Sequence, residues 1–219
     1  MVAPTDNNAT THPVLDIQAL LKSRAGMVRY TVDDVLRMIR SGVIPEDATT
    51  ELLDGFVVLK DRGEYGGDPL LHGRKHIAAI RRLTALSVKI QSTNRFAQVQ
   101  LPLVCSDLQM PEPDFAIVRG TEQNYSERLP GAQDTFVVIE AADSSLERDQ
   151  NEKLAIYAAA GVPQYLIINL RNSTIEQYTD PDPQSATYRT KATFTRDDKL
   201  VLSGGSDGPI EVRGDELLP

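Results

Sequence analysis

The sequence contains a single cysteine, no tryptophan and few aromatic residues, which make up 5% of its 219 residues. One thiol cannot form an internal disulfide, so a disulfide-stabilised fold is excluded and a reducing compartment is favoured. No apolar stretch approaches the roughly 18 residues that a membrane-spanning helix needs. The polar first dozen residues also lack the apolar region of an export signal. We therefore expect a cytoplasmic protein that does not enter a membrane.

Several catalytic signatures are absent as well. The sequence has no G-x-S-x-G nucleophile elbow, no P-loop, no G-x-G-x-x-G dinucleotide fingerprint and no Cys/His spacing that suits zinc. The lone thiol, Cys105, lies in an apolar segment where nothing places a base beside it, so we interpret it as a core residue. Serine hydrolases, P-loop nucleotide hydrolases and zinc-finger proteins are therefore disfavoured.

What the chain does contain is enough apolar sequence for a substantial core, with 41% hydrophobic and 25% charged residues. We expect a tail with room for a short helix over residues 1–29. One main domain is expected over 30–196, followed by a C-terminal extension over 197–219.

Hydrophobic periodicity predicts an α/β fold with a mixed sheet. Thr31 and Asp34 have the spacing of a capping box that begins a helix, and Asp54-Gly55 is a strong turn signal between two short strands. A helix over 147–160 joins two apolar strands, which implies a right-handed crossover between parallel neighbours. The strand-like runs are 98–104, 114–118, 135–142, 164–170, 174–178 and 188–194.

Charge is distributed unevenly along this acidic chain, whose net charge is −8. Between Pro69 and Ser106 there is no acidic residue, and a helix predicted from residue 74 to about 90 carries basic side chains on one arc. This stripe is either a solvated helix face or a local phosphate-binding surface. Its members are Arg74, Lys75, Arg81, Arg82 and Lys89.

His76 lies near the middle of the apolar side of that helix. One interpretation is a buried histidine with a hydrogen-bond partner. The other is that this face borders a polar site between helix and sheet, where an imidazole could hold a phosphate or a water molecule.

Two acidic residues stand at unusual places in the strand pattern. Asp114 begins a short hydrophobic strand and Glu140 lies near the end of the most apolar one, where an unpaired carboxylate is costly. If these strands are neighbours, the carboxylates meet at one end of the sheet and offer the hard oxygen ligands that suit Mg²⁺ or Mn²⁺. The plainer alternative is that each acid caps a loop.

Lys153 adds a cation, because its helix leaves the Glu140 strand. Asp149 lies one turn before it and Tyr157 one turn after it on the same helix face. An ordinary i,i+4 ion pair with Asp149 would explain the spacing. Alternatively, the ammonium lies over a metal site, where it would stabilise a hydroxide nucleophile or a phosphoryl transition state.

Two further expectations concern the surroundings of this lysine. Asp143 or Ser144 is expected to cap its helix, so that the positive end of the helix dipole faces anions. Glu51, ahead of the hairpin turn, is a candidate for orienting metal-bound water.

These residues occur in an order that resembles a known family. The segments are ELLDG at 51–55, a basic helix with His76, PEPDFAIV at 111–118 and VVIEAADSSLERDQNEKLAIYAAAGVPQYLIINL at 137–170. Together they are similar to the Uma-type restriction-endonuclease family, which belongs to the PD-(D/E)xK nuclease superfamily. The likeness covers residues 30–194.

The resemblance implies a restriction-endonuclease-like core of helix, three mixed strands, crossover helix and a further strand, with an N-terminal helix and peripheral hairpins. It implies Asp114 and Glu140 as metal ligands for Mg²⁺ or Mn²⁺, Lys153 as the catalytic lysine and Glu51 as an auxiliary acid. The superfamily's basic pattern has a lysine two positions after the glutamate, where this chain has Ala142. Lys153 on the helix would supply that function.

The leading hypothesis is a Mg²⁺-dependent endonuclease that hydrolyses phosphodiester bonds of nucleic acid, with DNA the expected form. His76, Asp149 and Tyr157 would support the site, and the basic stripe would hold the nucleic-acid backbone. The alternative is a catalytically inactive nucleic-acid- or protein-binding module on the same fold. A homodimeric assembly protein is a third hypothesis, and a homodimer would also suit cleavage of both strands of a duplex.

Overall fold

The computed structural model describes residues 27–45, 48–59 and 73–219, and most of the tail expected over 1–29 lies outside these ranges. The strands are β1 (Thr50–Leu53), β2 (Phe56–Leu59), β3 (Arg95–Val99), β4 (Phe115–Arg119), β5 (Thr135–Ala142), β6 (Gln164–Asn169), β7 (Thr174–Asp182), β8 (Thr187–Phe194), β9 (Lys199–Leu202) and β10 (Ile210–Arg213). The helices are α1 (Val32–Arg40), α2 (Arg74–Ile90), α3 (residues 146–159) and α4 (Gly214–Leu217). Helix α3 is α-helical over Leu146–Arg148, π-helical over Asp149–Lys153 and α-helical again over Leu154–Ala159.

A six-stranded mixed sheet in the order β3-β4-β5-β6-β7-β8 lies at the centre of the molecule. Only β5 and β6 are parallel among these neighbours, and α3 is the crossover between them. All eight residues of β5 are buried, which explains its unbroken apolar sequence. The predicted mixed α/β fold and its parallel pair are thus confirmed.

Each face of the sheet is covered by a different helix. On one face, α2 packs through its apolar stripe together with β9, β10 and α4. Leu200, Leu202 and Leu217 are buried in this same core, so the segment over 197–219 contributes directly to the main domain. On the other face, α3 packs through Tyr157 into a core that contains Val138 and Ala142 of β5. Within the described ranges, no helix has the length and apolar character needed to span a bilayer.

Two local sequence signals act as predicted. The Thr31 hydroxyl and the Asp34 carboxylate form both bonds of the capping box that begins α1. Asp54 and Gly55, at φ 52° and 80°, form the turn between β1 and β2, as expected for a pair that tolerates positive φ. Short-range chemistry determines both features.

Several boundaries differ from the sequence-based expectation. The strand predicted over 98–104 forms at Arg95–Val99, because the chain leaves the sheet at Gln100, whose φ is 52°. The cap of α3 is Ser145, not Asp143 or Ser144. The last two predicted strands are longer than expected, and as β7 and β8 they extend the main sheet to one of its edges.

Candidate active site

Two carboxylates meet where the ladder between β4 and β5 ends. Its last pair is Phe115 with Ile139, so Asp114 and Glu140 are the next residues on either strand. The Asp114 N–H donates to Glu140 Oε2 at 3.4 Å, and the Ala141 N–H donates to Asp114 Oδ2 at 2.9 Å. Side chains thus accept main-chain hydrogens just beyond the ladder. Both acids are nearly inaccessible, at 3% and 2% exposure.

Lys153 reaches this pair from α3. Its Nζ lies 2.8 Å from Glu140 Oε1 and 2.9 Å from Glu51 Oε1, and the residue is 3% exposed. Burial alone would lower the pKa of Lys153, but the carboxylates of Glu140 and Glu51 raise it well above the ordinary value. The amine is therefore a permanent ammonium at physiological pH.

The β1–β2 hairpin delivers the third carboxylate. Leu52 exchanges two main-chain hydrogen bonds with Met110, at 3.0 and 2.8 Å, which fixes the hairpin against the segment before β4. Glu51, 2% exposed, then accepts the Glu112 N–H at 2.8 Å through the same oxygen that faces Lys153. Carboxylates from β1 and β5, which are far apart in sequence, therefore converge on the Lys153 ammonium.

Tyr157 and Asp149 flank Lys153 on α3, as the spacing predicts. The Tyr157 hydroxyl donates to Glu140 Oε1 at 3.0 Å. Asp149 is 2% exposed and accepts a 2.7 Å hydrogen bond from Ser145 Oγ. Burial raises the pKa of the Asp149 carboxyl, although the charge of Lys153 opposes this. The ion pairs of Lys153 run to Glu140 and Glu51, so the simple helical pair with Asp149 does not account for its position.

A π turn in α3 sets the direction of the lysine. The Leu154 N–H donates to Asp149 O, five residues earlier, and the Tyr165 hydroxyl donates to the same carbonyl at 3.0 Å. The wider turn thus contains a carbonyl that also accepts a hydrogen bond from a side chain of the sheet. Such π turns in α-helices are frequent at functional sites. No feature of the helical periodicity indicates this turn.

His76 borders the acids from α2. Its Nδ1 lies 2.9 Å from Ala141 O, and its Nε2 lies 3.8 Å from Asp114 Oδ1. The side chain is 32% exposed, so it joins the buried carboxylates to the surface. His76 thus has the main-chain partner of the first interpretation without being buried, and it faces the carboxylates as the second interpretation requires.

The basic stripe of α2 is divided by the C-terminal residues. Lys89 Nζ donates to Glu216 Oε2 at 2.6 Å, and Arg82 donates to the main-chain carbonyl of Asp215. Lys75 donates to Leu170 O at 3.0 Å while staying exposed. Arg74 and Arg81 are also exposed. Part of the predicted phosphate-binding surface is therefore engaged within the protein.

The donor set suits a hard divalent cation. Asp114 and Glu140 supply carboxylate oxygens at the ends of adjacent strands, and the Lys153 ammonium contacts the carboxylates of Glu140 and Glu51. Carboxylate oxygens are the ligands that Mg²⁺ and Mn²⁺ prefer. The described part of the chain contains no group of three or more side chains arranged to bind a metal ion. A metal at this site would therefore bind two carboxylates and complete its coordination shell with water or phosphate, as Mg²⁺ commonly does.

Residue-type patterns did not reveal every polar contact at the site. Gln100 lies within the strand predicted over 98–104, yet its Nε2 is 3.5 Å from Asp114 Oδ1. Ser145 bonds Asp149, although the sequence favoured its neighbours as caps. The Gln100 contact depends on a backbone bend that has no local sequence signal.

A mixed sheet with a crossover helix, whose acidic strand ends face a lysine, defines the restriction-endonuclease-like class of nuclease folds. The chain belongs to the Uma2 family, described as "Putative restriction endonuclease", whose profile matches residues 32–206. The resemblance seen in the sequence is thereby confirmed.

A solved structure supports the same fold. It is "a putative nuclease belonging to DUF820" from Anabaena variabilis ATCC 29413, with a TM-score of 0.59 and 17% identity. The likeness covers 85% of this chain and 96% of that one. No curated protein matches the sequence.

Proposed function

We propose that the protein is a divalent-metal-dependent endonuclease that hydrolyses phosphodiester bonds of nucleic acid. The observation that carries the proposal is the convergence of Lys153 with Glu140 and Glu51, at 2.8 and 2.9 Å, beside the Asp114 carboxylate. A cluster of buried charges such as this one contributes little to stability. Such clusters are common at catalytic sites, where the chemistry needs them.

Asp114 and Glu140 are the residues that would hold Mg²⁺ or Mn²⁺. When bound, such an ion acidifies water and polarises a phosphoryl group. Lys153 does not act as a base, because its raised pKa keeps the proton on the amine. Its charge instead stabilises the negative charge that develops on the phosphate oxygens. Tyr157 restrains Glu140 Oε1 through its hydroxyl hydrogen bond.

Glu51 and His76 act on either side of this centre. Glu51 shares the Lys153 ammonium with Glu140 and so fixes its position between two strands. His76 lies at the exposed side, where its Nε2 is close enough to Asp114 to contact a phosphate bound there.

Nucleic acid is the proposed substrate, with DNA as the form to test first. The exposed Arg74, Lys75 and Arg81 on α2 would hold phosphates of the backbone without reading sequence. Arg82 and Lys89 would contribute less, because α4 already engages them. Cutting both strands of a duplex needs two such sites, so a homodimer stays a prediction.

A plasmid-nicking assay tests the proposal. Supercoiled DNA is incubated with wild type, Asp114→Asn and Glu176→Gln in Mg²⁺, in Mn²⁺ and in EDTA. Glu176 is the matched control, since it is a buried acid on the same sheet outside the carboxylate–lysine cluster. We expect nicking by wild type and Glu176→Gln with metal only, and a loss of at least about 100-fold in Asp114→Asn.

Two results would contradict the proposal. Nicking by Asp114→Asn at the wild-type rate would show that the carboxylate is not required for cleavage. Nicking in EDTA would show that a divalent metal is not required. DNA binding by wild type in a gel-shift assay, without nicking under any metal, would instead favour the inactive binding module.

A further inference from the structure

Gln100 has an unusual backbone conformation at the point where the chain leaves β3. Its φ of 52° lies in the left-handed region, which glutamine rarely adopts because of its Cβ. Of the other four described non-glycine residues with positive φ, Asp54, Ser173 and Ala186 lie in turns that join adjacent strands, and Asp180 lies within β7. Gln100 joins no such pair, so something other than a hairpin turn maintains its conformation.

Within the described residues, both hydrogen bonds donated by Gln100 go to Asp114. Its main-chain N–H donates to Asp114 O at 3.1 Å, and its side-chain Nε2 lies 3.5 Å from Asp114 Oδ1. The other carboxylate oxygen, Oδ2, accepts the Ala141 N–H at 2.9 Å. The left-handed backbone therefore lets one residue bond both the main chain and the side chain of Asp114, and the carboxylate is held at both oxygens.

We propose that Gln100 is a positioning residue that sets the orientation of the Asp114 carboxylate for divalent-metal binding. This inference rests on the proposed function, in which Asp114 is a metal ligand. Partners of metal-binding carboxylates fix which lone pairs face the ion, and their loss commonly weakens metal affinity about 10- to 100-fold. An amide that donates through Nε2 also keeps its carbonyl oxygen as an acceptor for a bound water molecule.

The test distinguishes the effect of losing the Gln100 amide from the effect of relieving the strained backbone at this position. Gln100→Gly removes the amide but tolerates the left-handed backbone, so the thermal midpoint should stay unchanged or rise. Ala186→Gly is the matched control, because Ala186 has a φ of 53° in the β7–β8 turn. Mn²⁺ affinity is measured by calorimetry on the full chain. We expect it to fall about tenfold in Gln100→Gly only.

A second measurement needs no metal. Hydrogen exchange of the Ala141 amide, followed by NMR, reports its bond to Asp114 Oδ2 directly. We expect faster exchange in Gln100→Gly and wild-type exchange in Ala186→Gly, because only the first variant removes a hydrogen bond to the Asp114 carboxylate.

The outcomes distinguish this proposal from the function on which it rests. Unchanged exchange at Ala141 in Gln100→Gly overturns the positioning role, as does unchanged Mn²⁺ affinity where wild type binds the ion. If wild type shows no carboxylate-dependent Mn²⁺ binding, the proposed function fails. The Ala141 amide then still decides whether Gln100 orients Asp114.

Discussion

Two buried carboxylates occupy one cross-strand row of the sheet, and their surroundings differ in a decisive way. Glu140 on β5 pairs with Ile167 on β6, which pairs with Glu176 on β7. Around Glu140, the carboxylates of Glu51 and Asp114 add negative charge, and among the described residues the Lys153 ammonium lies between Glu140 and Glu51.

Around Glu176 the balance is reversed. Its oxygens accept hydrogen bonds from one lysine and three neutral side chains. These donors are Lys191 at 2.7 Å, Tyr178 at 2.6 Å, Gln150 at 2.8 and 3.0 Å, and Asn169 at 3.3 Å. Burial would raise the pKa of Glu176, but the bonds from Lys191, Tyr178 and Asn169 hold it below the ordinary value. Burial of an acid therefore does not by itself indicate function; the two sites differ in that two carboxylates share one buried lysine at Glu140, whereas Glu176 has its own lysine and three neutral donors.

The largest expected effect contrasts the two lysines. Lys153→Ala should lower the free energy of unfolding by about 3–5 kcal/mol, because it leaves buried carboxylates uncompensated. Lys191→Ala should cost about 1 kcal/mol or less, since the Lys191 side chain is 51% exposed. Urea denaturation at pH 8 measures both. Equal losses of unfolding free energy in the two variants would contradict the proposed difference between the two sites.

The same pair of variants can be tested with metal present. A divalent cation would replace the missing positive charge in Lys153→Ala, so Mg²⁺ or Mn²⁺ should restore part of its lost stability. Lys191→Ala should gain no more from the ion than wild type does. Absence of any rescue would argue against a cation site among these carboxylates.

The next effect concerns metal binding by the native protein. At 100 times its dissociation constant, Mn²⁺ should stabilise wild type and Glu176→Gln by about 2.7 kcal/mol. Asp114→Asn should show no such stabilisation, because it loses one of the two proposed ligands. Thermal melts across a Mn²⁺ titration provide the measurement, and stabilisation of all three proteins alike would contradict the assignment.

A smaller effect depends on pH at Glu176. Its lowered pKa means that its stabilisation is present above pH 4.5, the unfolded value, and is lost as pH falls through the folded pKa. Glu176→Gln should therefore cost about 1 kcal/mol at pH 7. The difference from wild type should shrink towards pH 3 in urea denaturation. A constant difference would mean that the charge of Glu176 is irrelevant.

Asp149 should give the smallest change and the opposite sign. Its raised pKa means that its protonated form favours folding, a contribution present below pH 3.8 and lost as pH rises through the folded value. Asp149→Asn removes the buried charge and keeps the shape, so the thermal midpoint at pH 8 should be equal or higher. A marked drop would show that the Asp149 charge balances Lys153.

Elements with local causes could be predicted from the sequence. The strand at Thr135–Ala142 has the predicted bounds because its burial on both faces requires a continuous apolar run. The end of β3 was predicted wrongly, because residues 101–104 keep a strand-like pattern while a contact with Asp114 bends the chain at Gln100.

In the candidate site, too, some features could be predicted from the sequence and others depend on distant contacts. Position at strand ends, together with the family resemblance, selects Asp114, Glu140 and Lys153, which the fold brings together. The engagement of Arg82 by Asp215 spans more than a hundred residues. No pattern within the α2 helix could indicate that partner, because it depends on where the C-terminal residues pack.

The wide turn in α3 makes the spacing of this helix as important as its composition. An α-helix advances about 100° per residue, so removing the exposed Asn151 would restore a regular turn by rotating one half of the helix against the other. Ser145 and Lys153 could then no longer face their present partners together. Length changes within 149–153 should thus be tolerated far less well than exchanges of its surface side chains.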